Sequence, residues 1–136
     1  MRTIKFRIWD NLTNEMYYDA LVGNCRGEST VPCVYLNDVG WAHTDSCVVE
    51  QFTGLYDKNG TEIYEGDIIK INHSMFEEPT YHEVKYGIEQ DYPAFDLYPN
   101  LDFVESNNLQ YFVVCGIYDY YVIGNIHDNK ELLEYL

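Results

Sequence analysis

The segment Gln51–Lys70 has the sequence QFTGLYDKNGTEIYEGDIIK, and it contains the strongest turn and strand signals in the chain. Asp57-Lys58-Asn59-Gly60 in its middle predicts a tight turn, because Asn and Gly tolerate the positive φ that hairpins require. Glu65-Gly66-Asp67 predicts a second turn, in which the Asp67 carboxylate accepts backbone N–H bonds. β-branched and aromatic residues flank both turns, so we expect three consecutive strands here.

The same rhythm of strands and polar turns continues on both sides of this segment. Ile4–Trp9 alternates cleanly, with its isoleucines and phenylalanine on one face and Lys5, Arg7 and Trp9 on the other. Further strands are expected at Glu15–Tyr18, Val31–Leu36, Gly40–His43, residues 47–56, Tyr81–Tyr86, Ala94–Tyr98, Tyr111–Val114 and Tyr120–Ile126. Leu101–Asn108 is compatible with either a helical turn or a loop.

The last residues predict a short helix. Asp128 or Asn129 is suited to cap it, and its apolar face is expected to pack on the strands through Leu132, Leu133 or Leu136. Many short strands between Gly and Asn turns predict a mainly β (β-rich α+β) protein, with a small, closed or nearly closed antiparallel barrel over about residues 50–126 and not a sandwich.

A chain of 136 residues is expected to form one compact unit. Within it we distinguish residues 1–49, an N-terminal β-hairpin followed by a variable loop region, from residues 50–136, the barrel with its C-terminal helix. The loop region holds many small polar residues and three of the four cysteines.

The net charge of -15, from 23 acidic and 8 basic residues, restricts the class of partner. Because each phosphate contact needs a Lys or Arg, direct binding of nucleic acid is disfavoured, as is an anionic membrane surface. No stretch has the length of a membrane-spanning helix, and Met1–Phe6 begins a strand and not a signal peptide. We therefore expect a cytoplasmic protein with reduced cysteines.

The acidic residues are unevenly distributed along the chain. Between Lys85 and Lys130 there is no Lys or Arg. We predict a partner-binding acidic patch made of Glu89, Asp91, Asp96, Asp102 and Glu105. Such a patch imitates a run of phosphates and attracts a basic nucleic-acid-binding protein. The alternative is a solvated acidic face that only aids solubility.

Few residue sets have the character of a catalytic or metal site. Cys25, Cys33, His43 and Cys47 are metal-ligating residue types, but their spacing lacks the two close pairs of a usual zinc site. Cys47 with His43 is a candidate thiolate–imidazole pair, without an evident third group to orient it. A carboxylate dyad is uninformative in so acidic a chain, and no Gly-rich phosphate loop occurs. We expect no enzymatic activity, no metal and no cofactor.

Three stretches together resemble the YopX family of phage and prophage proteins. The strongest is Gln51–Lys70, supported by Ile4–Asp10 with Met16-Tyr17-Tyr18 and by Val122–Asn129 with Glu131-Leu132-Leu133. The resemblance implies a phage or prophage origin, an SH3-like barrel in the C-terminal half and homo-oligomers. It implies no mechanism, because the family's function is not established. Residues 20–48 match no part of the family pattern.

The leading hypothesis is a phage accessory protein that binds a host or phage protein and associates with itself. Its sharper form is an acidic, DNA-mimicking inhibitor of a host nuclease or defence component. The alternatives are a structural subunit of a phage particle or replication complex, and a metal- or cysteine-dependent enzyme. For self-association we expect the strand Ile4–Trp9 to pair across subunits, with Lys5, Arg7 and Trp9 at the contact.

Overall fold

The computed structural model describes residues 3–24, 32–36, 40–43, 46–72, 77–87, 93–99, 109–116 and 118–136. The strands are β1 Phe6–Asp10, β2 Glu15–Asn24, β3 Pro32–Leu36, β4 Gly40–His43, β5 Cys47–Tyr56, β6 Glu62–Tyr64, β7 Asp67–Asn72, β8 Thr80–Tyr86, β9 Phe95–Tyr98 and β10 Asp119–Asn125. The helices are α1 Leu109–Cys115 and a C-terminal 3-10 helix, Lys130–Tyr135. The predicted mainly β class is confirmed.

The chain divides into two compact units, Met1–Phe52 and Thr53–Leu136. In the first unit the strands are antiparallel neighbours in the order β4-β3-β2-β1-β5. A bulge shifts the register between β1 and β2, and Asp19 there has a φ of 55°. The small core of this unit is formed by Ile8, Ala20 and Cys47.

In the second unit an antiparallel sheet has the strand order β10-β7-β8-β9. Its inner face forms the larger core, which contains Ile63, Ile69, Ile71, Val84, Leu97, Leu109 and Tyr120. Ile69 and Ile71 share this face, as their alternation predicts. Ile68 is also fully buried although it alternates with them, so β7 is covered on both sides at that position.

The predicted barrel does not close through a continuous ladder of strands in the described residues. Instead, the end of β5 and the turn after it contact the edge of β10 by three hydrogen bonds, one of which runs from the Tyr120 hydroxyl group to Tyr56 O at 3.2 Å. Lys58 N donates to Tyr120 O at 3.2 Å, and Val122 N donates to Asp57 Oδ2 at 2.9 Å. A strand ladder requires extended backbone on both sides, and a tight turn presents one backbone donor and a side chain instead. The barrel, which was expected to be closed or nearly closed, is therefore not a closed barrel within the described residues.

The strand predicted at Tyr111–Val114 is also wrong, because these residues lie in α1. Leu109 is 1% exposed and Val113 packs against the same core, and the two are four residues apart. This spacing places both side chains on one face of a helix. Burial of that face outweighs the local β propensity of the Tyr-Phe-Val-Val run.

The predicted C-terminal helix is present, but it is a 3-10 helix with no buried residue. Asn129 occupies the N-cap position without a side-chain capping bond, because its Oδ1 accepts a hydrogen bond from Asn125 N at 3.1 Å. Leu133 is 40% exposed, so the leucines do not form a buried face. The ring of Tyr135 instead contacts that of Tyr81, with the centroids 5.3 Å apart.

Candidate binding surface

The most distinctive carboxylates of the sequence motif stabilise turns. Asp57 is 7% exposed, and its Oδ1 accepts hydrogen bonds from Asn59 N and Thr61 N at 2.8 and 2.9 Å. Asp67 is 2% exposed and accepts a bond from Tyr64 N at 2.8 Å, which confirms the predicted role of its carboxylate. Oxygen atoms that are already satisfied by backbone donors are poorly placed for ligand chemistry.

The C-terminal motif is likewise a self-contained turn. Asn125 Oδ1 accepts hydrogen bonds from the backbone N–H groups of His127 and Asp128, at 3.0 and 2.9 Å. Gly124 allows a close approach here, because a Cβ at this position would lie 2.3 Å from Asn129 Oδ1. Glycine is therefore needed at this position because the side-chain amide of Asn129 occupies the space that a Cβ would fill.

A buried histidine holds the end of β9 against β8. His82 is 2% exposed, and its Nδ1 lies 2.6 Å from Pro99 O. A carbonyl oxygen can only accept, so Nδ1 carries the proton and donates it. Nε2, 2.9 Å from Thr80 Oγ1, then accepts from the hydroxyl when the imidazole is neutral. Both ring nitrogens are therefore engaged, which is the arrangement of a structural histidine.

The outward face of the four-stranded sheet is rich in tyrosine. Register places Tyr121, Lys70 and Tyr81 side by side across β10, β7 and β8. We call these residues, together with Lys85, Tyr98 and the adjoining Tyr135, the tyrosine face. Tyr98 is 46% and Tyr135 64% exposed, while Tyr81 and Tyr121 are half-buried. Four aromatic rings thus lie on one side of a small sheet, opposite to its core.

Lys85 on this face has close neighbours of both kinds. Its Nζ lies 4.4 Å from the centroid of the Tyr98 ring and 3.9 Å from Glu83 Oε2. Asp96 is its register partner on β9. Opposite charges at directly facing positions attract one another, so the charge of Lys85 is largely balanced within the sheet.

Lys70 has a different environment. It is half-buried between Tyr81 and Tyr121 by register. Among the described residues, the ammonium group of Lys70 makes no ion pair and no hydrogen bond. The hydroxyl groups of Tyr81 and Tyr121 make no hydrogen bond to the described residues either. Three hydrogen-bond donors therefore lie on adjacent strands without an acceptor from the described residues.

Of the three residues predicted for self-association, Arg7 and Trp9 are buried on β1 and Lys5 directly precedes this strand. Arg7 is 3% exposed, and its Nε is 2.7 Å from the buried Glu50 Oε2. Trp9 is 6% exposed, and Lys5 lies over the Phe52 ring at 4.8 Å. β1 pairs with β2 on one edge and β5 on the other. Both edges of this strand are therefore occupied within the chain, and the contact between copies through Lys5, Arg7 and Trp9 stays a prediction.

The predicted acidic patch lies mostly outside the described residues, which exclude Glu89, Asp91, Asp102 and Glu105. Its remaining member, Asp96, is on β9 opposite Lys85. At this position the acidic charge is next to a cation, which is not the isolated carboxylate that mimicry of a phosphate requires. The patch as a whole stays a prediction.

The cysteine and histidine set is only partly visible. Cys25 lies outside the described residues, while Cys33 and His43 are register partners on β3 and β4. Cys47 is 9% exposed, and burial raises the pKa of its thiol, which disfavours the nucleophilic thiolate. Among the described residues no three His, Cys, Asp or Glu side chains are grouped as a metal site would require.

Comparison with known families accounts for the three motifs. The family model described as YopX protein matches residues 5–134. The chain belongs to the YopX family. None of the helices in the described residues combines the length and apolar character that crossing a bilayer demands. A search among curated proteins gives no match.

Two solved structures are similar to this YopX-family chain over nearly its whole length. Protein EF1440 from Enterococcus faecalis is 27% identical, with a TM-score of 0.69, over 98% of this chain and 99% of that one. YopX from Bacillus subtilis is 19% identical, with a TM-score of 0.55, over 97% and 98% of the two chains. The second likeness is one of fold alone.

The tyrosine face was not identified from the sequence. Residues that are neighbours on this face are far apart in the sequence. Lys70 is 11 positions from its register partner Tyr81 and 51 positions from its register partner Tyr121. The usable signal was the alternation in β8, where Tyr81, Glu83 and Lys85 interleave with the buried His82 and Val84. That pattern marks an outward face, but it does not say which other strands extend it.

Proposed function

We propose that this YopX-family chain is a phage or prophage accessory protein of the bacterial cytoplasm. It acts as a non-enzymatic, self-associating module that binds another protein, and the tyrosine face is its contact surface. The observation that carries this proposal is the grouping of Tyr81, Tyr98, Tyr121 and Tyr135 on one side of the second unit.

Tyrosine suits a protein contact for a physical reason. Its ring brings apolar area, its hydroxyl group brings a hydrogen bond, and few rotatable bonds are frozen on binding. Tyr98 and Tyr135 leave 46% and 64% of their surface exposed. Residues of this size at the centre of a contact commonly contribute most of its binding energy.

Binding is favoured over catalysis by the state of the reactive groups. The Cys47 thiol is buried with a raised pKa, and the carboxylates of Asp57 and Asp67 accept backbone hydrogen bonds. The bacterial setting is supported by the family and by its solved relatives from Enterococcus faecalis and Bacillus subtilis. The DNA-mimicking role stays a prediction on residues outside the described part of the chain.

Site-specific photo-crosslinking tests the contact surface. A photoreactive phenylalanine analogue at position 98 should crosslink to a partner in lysate of the encoding bacterium, and mass spectrometry identifies that partner. The analogue at position 56 is the matched control, because Tyr56 is 50% exposed on β5 and not on this face.

The double variant Tyr98→Ser/Tyr135→Ser should then lose the identified partner in a binding assay, whereas Tyr56→Ser retains it. Equal crosslinking from both positions, or unchanged binding by the double variant, contradicts the tyrosine face as the contact surface.

A further inference from the structure

Among the described residues, Lys70 differs from most other lysines because its ammonium group makes no cation–π contact and no ion pair. Lys5 lies over Phe52, Lys58 lies over Tyr120, and Lys85 contacts Tyr98 and Glu83. Lys130 is exposed at the start of the 3-10 helix. Among the lysines of the described residues, only Lys70 is half-buried on an inner strand of a sheet and makes no ion pair, hydrogen bond or cation–π contact with the described residues.

The neighbours of Lys70 across the sheet are two tyrosines. Side chains at directly opposed positions have Cβ atoms about 4.5–5.5 Å apart. Tyr121 and Tyr81 therefore flank Lys70 on either side of β7. The three side chains offer one ammonium and two phenol hydroxyl groups, and all of these groups donate hydrogen bonds. A row of donors in which one is charged is suited to an anion.

We propose that Lys70, Tyr81 and Tyr121 bind the carboxylate of an Asp or Glu side chain of a partner protein. This inference rests on the proposed function and assigns the chemistry at the centre of its contact surface. Lys70 provides the charge-assisted bond to one oxygen, and a tyrosine hydroxyl donates to the other. The exposed rings of Tyr98 and Tyr135 add apolar area around this point. The partner segment therefore carries an acidic residue between apolar residues.

The charge balance favours a carboxylate over a phosphate. The site has one cation for one negative charge, whereas phosphate groups are usually bound by several cations or by the two-pronged guanidinium of Arg. A nucleic acid would also meet a chain of net charge -15, which repels a polyanion. A single carboxylate in an apolar segment brings little charge of its own, so this repulsion acts on it weakly.

Nuclear magnetic resonance titration with defined probes tests the site. The probes are the capped tripeptides acetyl-Leu-Glu-Tyr-amide and acetyl-Leu-Gln-Tyr-amide, with inorganic phosphate as a third probe. We expect saturable shifts at the Lys70 Cε and at the Tyr81 and Tyr121 rings with the Glu peptide, at dissociation constants of about 1–10 mM. The Gln peptide should bind about tenfold more weakly, as loss of a charged hydrogen bond predicts.

Two lysine variants separate a site from a general charge effect. Lys70→Gln should abolish the shifts at Tyr81 and Tyr121, whereas Lys130→Gln should leave them unchanged, because Lys130 is exposed at the start of the 3-10 helix and is not part of the tyrosine face. The proposal is overturned if the Glu peptide causes no shifts at this row, or equal shifts in Lys70→Gln. It is also overturned if the Gln peptide binds equally well, or if phosphate binds more tightly than the Glu peptide.

The partner identified by crosslinking distinguishes this proposal from the proposed function. If Tyr98→Ser/Tyr135→Ser loses that partner while Lys70→Gln retains it, the tyrosine face stands and the carboxylate site is wrong. If both variants lose it and Lys130→Gln does not, both stand. If neither variant loses it, both proposals fail.

Discussion

Buried carboxylates in this acidic chain each meet a specific donor. Glu50 accepts from the Arg7 guanidinium, Asp67 from a backbone N–H, and Asp57 from three backbone N–H groups. A buried carboxylate without such partners costs several kcal/mol, so these pairings are needed for the fold to form. Part of the acidic excess is therefore structural and is unavailable to a surface patch.

The Arg7–Glu50 pair gives the sharpest prediction at this scale. Glu50→Gln removes the negative charge that lies 2.7 Å from the buried guanidinium of Arg7, and we expect the free energy of unfolding to fall by about 3–5 kcal/mol. Urea denaturation followed by tryptophan fluorescence measures it, with the exposed Glu131→Gln as the control. The double variant Arg7→Met/Glu50→Leu should recover most of the loss, because it removes both charges. A loss in Glu50→Gln no larger than that of the control would contradict the pairing.

At the scale of elements, the link between the β5–β6 turn and β10 depends largely on one side chain. Asp57 Oδ1 binds within the turn, and Oδ2 reaches the backbone of β10 at Val122. The only backbone bond beside it is the longer contact of Lys58 N with Tyr120 O, at 3.2 Å, among the described residues. A carboxylate thus takes the place that a neighbouring strand would occupy, and it protects the edge of β10.

Asp57→Asn tests this link. An Asn side chain has one carbonyl oxygen, so its amide nitrogen must face a backbone N–H, and we expect a loss of about 1–3 kcal/mol in unfolding free energy. Hydrogen exchange at the Val122 amide should accelerate more than at Ile69, in the centre of the sheet. Asp119→Asn, at the exposed start of β10, is the control. Unchanged exchange at Val122 would show that the carboxylate does not hold the strand.

The turn before the C-terminal 3-10 helix depends on close packing at Gly124. In Gly124→Ala the added Cβ would lie 2.3 Å from Asn129 Oδ1, so the amide must move and release Asn125 N. We expect a loss of about 1–3 kcal/mol, as in overpacked cores, measured by thermal unfolding. Adding Asn129→Ala to this variant should relieve the clash, so that the combined loss is smaller than the sum of the two single losses. Strict additivity would contradict the proposed contact.

For the whole molecule, net charge and exposed aromatic rings act in opposite directions on association. Copies with a charge of -15 repel one another, whereas tyrosines such as Tyr98 and Tyr135 gain from being covered. Since salt shortens the range of the repulsion to about 8 Å at physiological strength, salt should favour association. Both edges of β1 are already paired within the chain, so the exposed tyrosines are better placed for this contact.

We therefore expect a homo-oligomer at micromolar concentration, with a mass that increases between low and high salt. Sedimentation velocity at about 0.05 M and about 0.5 M NaCl measures it, since the screening length differs severalfold between these conditions. Tyr98→Ser/Tyr135→Ser should reduce association if the tyrosine face forms the contact between copies. A monomer at every salt concentration would exclude self-association.

The features that can be predicted from the amino-acid sequence are those set by neighbouring residues. Asp57-Lys58-Asn59-Gly60 and Glu65-Gly66-Asp67 specify turns because the φ of Gly60 and Gly66 is positive and the carboxylates reach nearby N–H groups. The strands expected at Val31–Leu36, Gly40–His43 and residues 47–56 are found at Pro32–Leu36, Gly40–His43 and Cys47–Tyr56, as the local strand propensity of β-branched and aromatic residues predicts. The YopX motifs, whose residues lie close together in the sequence, were recognisable for this reason too.

Features that depend on residues distant in the sequence are visible only in the tertiary structure. Tyr111–Val114 has the composition of a strand, and it is helical because Leu109 and Val113 pack on a core built from other segments. Arg7 alternates as a surface residue, and it is buried because Glu50 lies opposite on β5. The tyrosine face required the register of β10, β7 and β8. Secondary-structure propensity and alternation act over a few residues, whereas burial and strand pairing depend on residues tens of positions away. The free energy gained by burial and pairing exceeds the local secondary-structure preference.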